Sequence, residues 1–341
     1  MKHKIIGQAL PNIPWENKPS DCVEPMWRYS KNPITPFNPF GNVARVFNSA
    51  LVPWKGEYIG IFRGDGRNMI PTLYKGHSKD GIHIEFEEKP LEIHASDGHL
   101  VNLYGSYDPR VIPFEDGTYY IVYCVGTLEG PVLGFAKTMD FEYFEALDRP
   151  FIPCNRNGVL FPRKINGDYI MLSRPSGEGH NQFGDVWMSR SKDLTYWGKH
   201  QCVIRKGWEW WCGTKVGAGC VPIETDMGWL LFFHGVLGTC SGLVYSFGAA
   251  ILDKDDPGKT LYRCNQYLLT PQESYEKSGF VPNVVFPVSA LADAETGRIA
   301  VYYGAADSHT AIAFTDIDTI LDFIVKNSDR TPTDLDSLSH N

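Results

Sequence analysis

The segment Val111-Ile-Pro-Phe-Glu-Asp-Gly-Thr-Tyr-Tyr-Ile-Val-Tyr123 contains two short apolar runs separated by Glu115-Asp-Gly117. Aromatic and β-branched residues favour strands, and Asp-Gly between two such runs is typical of a tight hairpin turn. The segment therefore predicts a pair of antiparallel strands. Asp108, which follows Tyr107 and precedes Pro109, lies where the first of these strands begins.

The same pattern, a glycine turn followed by an apolar run, recurs along the chain. The turn glycines are Gly56, Gly117, Gly167, Gly228 and Gly297, spaced by 50 to 69 residues. A shorter apolar run precedes each turn, and in three units a further run ends in a polar turn, at 76–80, 136–140 and 188–193. Repeated units of several short strands predict an all-β fold, a five-bladed β-propeller that spans residues 1–341. The alternative is a β-sandwich or two all-β domains, which the fivefold repeat without a Pro/Ser-rich linker disfavours.

The two ends of the chain differ from this repeat. Residues 1–35 contain several prolines, together with Trp15 and Trp27, and predict an extended segment that lies over the domain. Apolar residues recur at helical spacing near the other end and predict a helix over residues 316–327. The polar residues 328–341 predict a frayed tail.

Composition limits the possible partners and the location of the protein. The chain has 341 residues, of which 43% are hydrophobic, enough for a sizeable core. A net charge of -8 argues against nucleic acid and anionic membranes as partners. The apolar runs are too short to span a bilayer and no signal peptide is recognisable, so we expect a cytoplasmic protein. The eight cysteines form no Cys-x-x-Cys pair, which predicts buried free thiols and no metal site.

Polar residues occur where the predicted hairpins start and end. The start of the first strand and the end of the second lie at the same end of a hairpin, so these side chains meet in one pocket if that end faces the channel of the propeller. The strand starts supply Asn48, Ser49, Tyr107, Asp108, Arg156, Asn157, Lys215 and Asn283, and the strand ends supply Arg63, Arg174, His234 and Asp307.

The predicted pocket is cationic although the protein is acidic. Guanidinium and ammonium groups bind phosphate by charge-assisted hydrogen bonds, and the chain has no Walker loop or Gly-x-Gly-x-x-Gly sequence. The pocket therefore predicts a site for inorganic phosphate or a sugar phosphate. The cationic residues are Arg63, Arg156, Arg174 and Lys215, against the acidic Asp108 and Asp307.

Asp108 is the candidate catalytic acid. An inverting glycosidase needs two carboxylates, one to donate a proton and one to activate water. A phosphate nucleophile needs no such base, so one acid beside a phosphate site predicts an inverting phosphorylase, with a buried Asp108 that holds its proton near neutral pH. The structural alternative is that Asp108 only caps a turn before Pro109.

A tryptophan cluster precedes Lys215 and consists of Trp208, Trp210 and Trp211. Pyranose faces are apolar and pack on indole rings, so the cluster is a candidate wall for a sugar. Burial in the core of a blade is an equally good explanation, and the sequence leaves both open.

Several long segments of the chain are similar to one known family. They are Tyr107-Asp-Pro-Arg-Val111, Leu172-Ser-Arg-Pro-Ser176 and His234-Gly-Val236, with residues 27–33, 47–50, 155–167, 281–284 and 302–307. On these segments the chain resembles glycoside hydrolase family 130, and within it the β-1,4-mannooligosaccharide phosphorylases. The resemblance extends nearly from end to end.

The resemblance implies a five-bladed propeller and inverting phosphorolysis of a β-mannosidic bond, which releases α-mannose 1-phosphate, or the reverse synthesis. Asp108 would be the general acid, thought in this family to pass its proton through a mannose hydroxyl. The family's phosphate contacts correspond to Arg156, Asn157, Arg174, Lys215 and His234. Its mannosyl contacts correspond to Asn48, Ser49, Arg63, Tyr107 and Asp307. The expected substrates are a β-mannoside and phosphate, with no cofactor, and family members often form homo-oligomers.

The chain also departs from the family pattern. Residues 177–184 read Gly-Glu-Gly-His-Asn-Gln-Phe-Gly, where the resemblance leads to Asp-Asn-Gly-His-Thr-Pro-Phe-Gly, and residues 64–67 and 208–212 also differ. These segments are where the acceptor sugar would be selected, so mannooligosaccharides and β-mannosyl-N-acetylglucosamine ends are both candidate substrates. The rival functions are a β-mannosidase of the same fold, which needs a second carboxylate, and a non-catalytic carbohydrate-binding propeller.

Overall fold

The computed structural model describes residues 2–177, 184–207 and 209–328, and its strands form five antiparallel sheets. After β1 (Trp27–Arg28), the first blade consists of β2 (Val43–Trp54), β3 (Glu57–Gly66), β4 (Pro71–Ser78) and β5 (Glu85–Pro90). The second consists of β6 (Ser106–Pro113), β7 (Tyr119–Thr127), β8 (Gly130–Thr138) and β9 (Glu145–Leu147). The third consists of β10 (Asn155–Leu160), β11 (Tyr169–Pro175), β12 (Val186–Ser191) and β13 (Trp197–Ile204).

The remaining two blades contain the short helical segments. A single 3₁₀ turn (Trp210–Cys212) precedes the fourth blade, formed by β14 (Lys215–Ala218), β15 (Ile223–Thr225), β16 (Gly228–Thr239), β17 (Gly242–Leu252) and β18 (Thr260–Arg263). Helix α1 (Ser274–Lys277) precedes the fifth, formed by β19 (Val285–Ala292), β20 (Arg298–Ala305) and β21 (His309–Asp316). Helix α2 (Ile317–Lys326) follows, and Asp316 caps it by accepting a hydrogen bond from the Thr319 amide at 2.9 Å.

The five-bladed propeller predicted from the repeats is confirmed. All five predicted turn glycines have left-handed φ angles, between 74° and 125°, a region that favours glycine. Apolar side chains pack between neighbouring sheets, as where Phe161 of the third blade meets Trp229 of the fourth with ring centroids 5.0 Å apart. The predicted C-terminal helix is also present, with the apolar face Ile317, Ile320, Leu321 and Ile324 buried.

The N-terminal segment completes the fifth blade. In β1, Trp27 pairs with Phe314 and Arg28 with Ala313, so β1 becomes the outer strand of a sheet whose other three strands come from the end of the chain. The segment 1–35, which we expected only to lie over the domain, therefore also closes the ring of sheets. Among the described residues, no helix is both long enough and apolar enough to cross a membrane.

A buried ion pair fixes β1 in this position. The Arg28 guanidinium donates from Nε and Nη2 to the two carboxylate oxygens of Glu276, at 2.7 and 2.9 Å. The Tyr303 hydroxyl donates to the same carboxylate at 2.8 Å, and the Glu276 side chain is fully buried. Burial lowers the pKa of Arg28, but the hydrogen bond and charge of Glu276 outweigh it and raise that pKa above its ordinary value. The pair joins the first strand of the chain to the last blade.

We predict that Glu276→Gln destabilises the protein by about 3–5 kcal/mol, because it leaves a largely buried guanidinium without its counter-charge. The free energy of unfolding in urea measures this change. The control is Glu92→Gln, which removes the partner of Lys89 from an exposed ion pair and should cost less than about 1 kcal/mol. Equal effects of the two substitutions would contradict the role assigned to Glu276.

Candidate active site

A cavity of about 530 Å³ opens where the inner strands of the five blades converge. Ten of the twelve polar residues predicted to meet in the pocket line it, because the starts and ends of the hairpins meet at this end of the channel, whereas Ser49 and Asn283 do not line it. The ten are Asn48, Arg63, Tyr107, Asp108, Arg156, Asn157, Arg174, Lys215, His234 and Asp307. The structure thus brings together two carboxyl groups, a set of cations and several neutral polar groups.

Three of these residues occupy equivalent β-bulges in the inner strands of the first three blades. Asn48, Asp108 and Asn157 have left-handed φ angles of 46°, 50° and 52°. The pairing register shifts at each of them, between Phe47 and Ala50 in the first blade and at the matching points of the next two. Asn and Asp tolerate this conformation best after glycine, and a bulge redirects a side chain. The bulges explain why three neighbouring blades each present a polar side chain to the cavity.

Ser49 is the one predicted sugar-binding residue that does not line the cavity. Its hydroxyl donates to the carbonyl oxygen of Phe47 at 3.0 Å, and the residue is buried. Neighbouring residues on a strand project to opposite sides, so the bulge that turns Asn48 toward the cavity leaves Ser49 without access to it. The position of Ser49 gives no support for direct sugar binding.

The carboxylate of Asp108 is held by two donors. Asn48 Nδ2 and Arg63 Nη1 both donate to Oδ1 at 2.9 Å. The Asp108 carbonyl oxygen accepts from Arg110 Nη1 at 2.8 Å, and Arg110 Nε donates to the Gly219 carbonyl at 3.1 Å. Asp108 is therefore fixed through both its side chain and its main chain. The alternative that Asp108 only caps a turn before Pro109 does not account for these contacts, because the carboxylate binds two side chains from the neighbouring blade.

The space that Asn48 occupies depends on a glycine in the fifth blade. A Cβ atom on Gly304 would lie 1.7 Å from Asn48 Oδ1, far inside any van der Waals contact. Asn48 Oδ1 is itself buried without a hydrogen-bond partner among the described residues. Buried polar atoms of this kind are normally satisfied, so a ligand hydroxyl is a fitting donor for Asn48.

Asp65 is a site residue that the sequence analysis missed. Its carboxylate accepts from Arg63 Nε at 2.8 Å and from Arg63 Nη2 at 3.3 Å, and Asp65 is 1% exposed. This two-point contact leaves Nη1 of Arg63 directed at Asp108. Burial lowers the pKa of Arg63, but the carboxylates of Asp108 and Asp65 outweigh it and raise that pKa. Positions 63 and 65 lie on the same face of a strand, so their spacing in the sequence could have indicated that Asp65 contacts Arg63.

Asp307 is the second carboxyl group of the cavity, at the end of the fifth blade. Burial raises its pKa to about 6, an effect that the positive charge of Arg63 opposes and the negative charge of Asp108 reinforces. Asp307 therefore takes up a proton close to neutral pH. It lies on the side of the cavity formed by the first, second and fifth blades.

The opposite side of the cavity carries cations from the third and fourth blades, including Arg156. Burial, followed by repulsion from Arg174 and Arg156, lowers the pKa of Lys215 to about 8. Burial is also the main cause that lowers the pKa of Arg174 to about 10. Charged groups that destabilise each other in this way are stabilised by a bound anion, so this side fits phosphate.

His234 is buried between these cations as a neutral imidazole. Burial and then the charges of Arg174, Arg110 and Lys215 lower the pKa of His234 well below its usual value. Arg174 Nη1 lies 2.8 Å from His234 Nε2, and a guanidinium can only donate, so Nε2 accepts and the proton resides on Nδ1. Nδ1 is buried without a partner among the described residues and is available to donate to a ligand.

The tryptophan cluster was a candidate for either a sugar-binding wall or the core of a blade, and its members differ in the structure. Trp211 is buried, stacks on Phe233 with centroids 5.5 Å apart, and donates from Nε1 to the Asn265 carbonyl, so it belongs to the blade core. Trp210 is exposed but does not line the cavity. Trp208 and residues 178–183 of the divergent segment lie outside the described residues.

Tyr245 and Phe286 also line the cavity and were not singled out from the sequence. Tyr245 pairs with Val236 across the β16–β17 hairpin, and Lys215 Nζ lies 5.2 Å from the centroid of its ring. Phe286 packs on the His234 ring at 4.4 Å. Both depend on pairings between strands that no local pattern identifies.

One fixed carboxyl group facing a cationic pocket meets the requirements of an enzyme that acts on glycosides with an anionic co-substrate. The chain belongs to glycoside hydrolase family 130, because the family model described as β-1,4-mannooligosaccharide phosphorylase matches residues 8–326.

Individual relatives agree with this assignment. The chain is 48% identical to a β-1,4-mannooligosaccharide phosphorylase of Ruminococcus albus over 96% of this chain and 99% of that protein. It is 27% identical to a 4-O-β-D-mannosyl-D-glucose phosphorylase of Bacteroides fragilis over 90% of this chain and 82% of that protein. The solved structure of a β-1,2-mannobiose phosphorylase from Listeria innocua has a TM-score of 0.76 and 26% identity, covering 88% of this chain and 99% of that one.

We predict that Asp65→Asn lowers kcat for β-mannoside phosphorolysis by about 10²-fold, because Arg63 loses the contact that directs it to Asp108 and small misplacements near a reacting group are costly. Initial rates at varied phosphate should show an unchanged KM for phosphate. The control is Asp97→Asn at an exposed turn, which should match the parent chain. A parental kcat in the Asp65 variant would contradict the positioning role.

Proposed function

We propose that the protein is an inverting phosphorylase that cleaves β-1,4-mannosidic bonds with inorganic phosphate and releases α-mannose 1-phosphate, in a reversible reaction. The observation that carries this proposal is that one cavity holds a single fixed carboxyl group, Asp108, and a cationic wall formed by Arg156, Arg174 and Lys215. Such a wall binds an anionic nucleophile.

The cavity has a place for each reactant. The terminal mannosyl unit lies against Asn48, Arg63 and Asp307, with Tyr107 beside them, and phosphate binds across the cavity. A phosphate oxygen attacks the anomeric carbon, the bond to the leaving sugar oxygen breaks, and that oxygen receives a proton originating from Asp108. Asn48 and Arg63 both donate to Oδ1 of Asp108, which leaves Oδ2 as the oxygen placed to donate in this reaction. The phosphate contacts are assigned to Arg156, Asn157, Arg174, Lys215 and His234.

Hydrolysis is the nearest alternative, since Asp307 is a second carboxyl in the cavity. A water-activating base must lie on the face from which the water attacks. Asp307 instead lies on the mannosyl side with Arg63, and the opposite side is occupied by cations that no hydrolase would require. This separation favours phosphate over water as the nucleophile. The other alternative, a non-catalytic binding propeller, would need neither Asp108 nor the cations.

The β-1,4 linkage is supported by the Ruminococcus albus relative, whose similarity covers nearly the whole chain. The reaction as proposed needs phosphate as a substrate and no cofactor. We also propose a cytoplasmic location, in keeping with eight free cysteines in the described part of the chain, and self-association through the N-terminal segment and helix α2.

We predict that β-1,4-mannobiose yields α-mannose 1-phosphate only when phosphate is present, and that Asp108→Asn lowers kcat by at least about 10³-fold, because an amide cannot supply the proton. Chromatography of the products with and without phosphate measures both effects. Free mannose released without phosphate would identify a hydrolase. Binding of mannooligosaccharide with no turnover by the parent chain would identify a binding protein.

We predict that kcat/KM for phosphate falls as the pH rises above about 8, since the free enzyme loses the Lys215 charge through its pKa of about 8. The decline approaches tenfold per pH unit once Lys215 is mostly neutral. Lys215→Met should have a low kcat/KM without this limb, and Lys215→Arg should keep its charge to higher pH. Lys192→Met, at an exposed turn, is the control with the parental profile. A parental limb in Lys215→Met would refute the assignment.

A further inference from the structure

Arg110 is a buried arginine that does not line the cavity and has no direct part in the proposed reaction. Its guanidinium contacts main-chain carbonyl oxygens from two blades. Nη1 donates to the Asp108 carbonyl at 2.8 Å, whereas Nε donates to Gly219 at 3.1 Å and Nη2 to Ala218 at 3.4 Å. The side chain therefore joins the inner strand β6 of the second blade to the end of β14 in the fourth blade.

The two blades that Arg110 joins are not adjacent in the ring. The third blade lies between them, and its inner strand β10 contacts both β6 and β14. The fifth blade also reaches this point, since the Arg110 guanidinium lies 5.7 Å from the centroid of the Phe286 ring. Arg110 thus provides a direct link between two inner strands that no sheet hydrogen bond connects.

This link is costly for the folded protein. Arg110 is 1% exposed and, among the residues that the structure describes, forms no ion pair with a carboxylate. Burial lowers the pKa of Arg110, and the charge of Asp108 opposes this effect without cancelling it. An apolar side chain of similar size would avoid the cost of burying a charge, so the guanidinium indicates a role in the site.

The strands at the two ends of the link carry the opposing parts of the site. Asp108 lies on β6, and Lys215 begins β14. The same strand β14 packs closely against the rest of the cationic wall. A Cβ atom on Gly217 would lie 2.3 Å from His234 Cε1 and 2.9 Å from Arg174 Nη1. A shift of β14 would therefore move Lys215 and crowd His234.

We infer that Arg110 is a positioning residue that sets the separation between Asp108 and the phosphate-binding wall. It acts through the two strands that it joins. Attack on the anomeric carbon requires the nucleophile and the proton donor at fixed positions on its two sides, so a rigid link between their strands favours the reaction. This inference rests on the proposed function for the placement of phosphate.

The test compares Arg110→Lys and Arg110→Met with a matched control. Lysine keeps the positive charge but lacks the forked donors that reach both strands, and methionine removes the charge as well. The control is Arg163→Met. Arg163 also joins two blades, by donating from Nε to Glu224 at 2.7 Å, but it does not line the cavity. Arg163→Met should have parental kinetics and parental phosphate binding.

The first measurement is kcat on two mannosides whose leaving groups differ. With β-1,4-mannobiose and phosphate, both Arg110 variants should lose about 10²-fold in kcat, because the acid and the nucleophile are misplaced. With 2,4-dinitrophenyl β-mannoside, whose leaving group needs no proton, the loss should be about tenfold smaller. A folding defect would instead lower kcat equally on both substrates.

The second measurement is calorimetric titration with inorganic phosphate, which does not depend on turnover. Both Arg110 variants should bind phosphate about tenfold more weakly than the parent chain, since Lys215 moves with β14. A weakening that Arg163→Met does not share supports the link to β14 even if the parent chain forms no mannose 1-phosphate, in which case only the proposed function fails.

Two results would overturn the inference. One is an equal loss of kcat on both mannosides with parental phosphate affinity, which a smaller fraction of folded molecules would produce. The other is parental behaviour of Arg110→Lys, which would show that the charge at position 110 is sufficient and that the bridge between the strands is not required.

Discussion

The pairing of β1 with β21 is the constraint on which the rest of the structure depends. Each blade buries its faces against its neighbours, so a ring of sheets is stable only when the last blade is complete. The strand that completes it comes from the N-terminal segment, and Arg28 and Glu276 hold it with a fully buried carboxylate. Closure of the ring makes the inner strands converge on one channel, and the cavity is a consequence of that convergence.

The cavity gathers charges that are costly to bury, and it balances them differently on its two sides. On one side Arg63 lies between Asp65 and Asp108, so attraction compensates for lost hydration. On the other side burial, and then repulsion from Arg174 and Arg156, lowers the pKa of Lys215 to about 8. The first arrangement fixes the carboxyl group that we propose as the proton donor, and the second leaves positive charge where we propose that phosphate binds. The chemistry of a phosphorylase follows from this asymmetry.

Much of the site could be predicted because hairpin geometry is local. Strand starts and strand ends share one end of a hairpin, so Asn48, Asp108 and Arg174 could be assigned to a common pocket before any tertiary contact was known. Ser49 shows the limit of that rule, since the bulge at Asn48 decides which of two adjacent polar side chains reaches the cavity. Asp65 was within reach through its spacing from Arg63, whereas Tyr245 depends on the register of a long hairpin.

The sequence by itself determined the glycine turns, the five repeated hairpins, helix α2 and the types of residue that meet at the hairpin ends, because each depends on neighbours within a few residues. Tertiary structure alone decided that β1 completes the fifth blade, that Trp211 belongs to the core, and that Gly304 makes room for Asn48. These features join segments that are tens to hundreds of residues apart in the chain. Their partners are selected by packing and by the pairing of buried charge, which no local sequence pattern specifies.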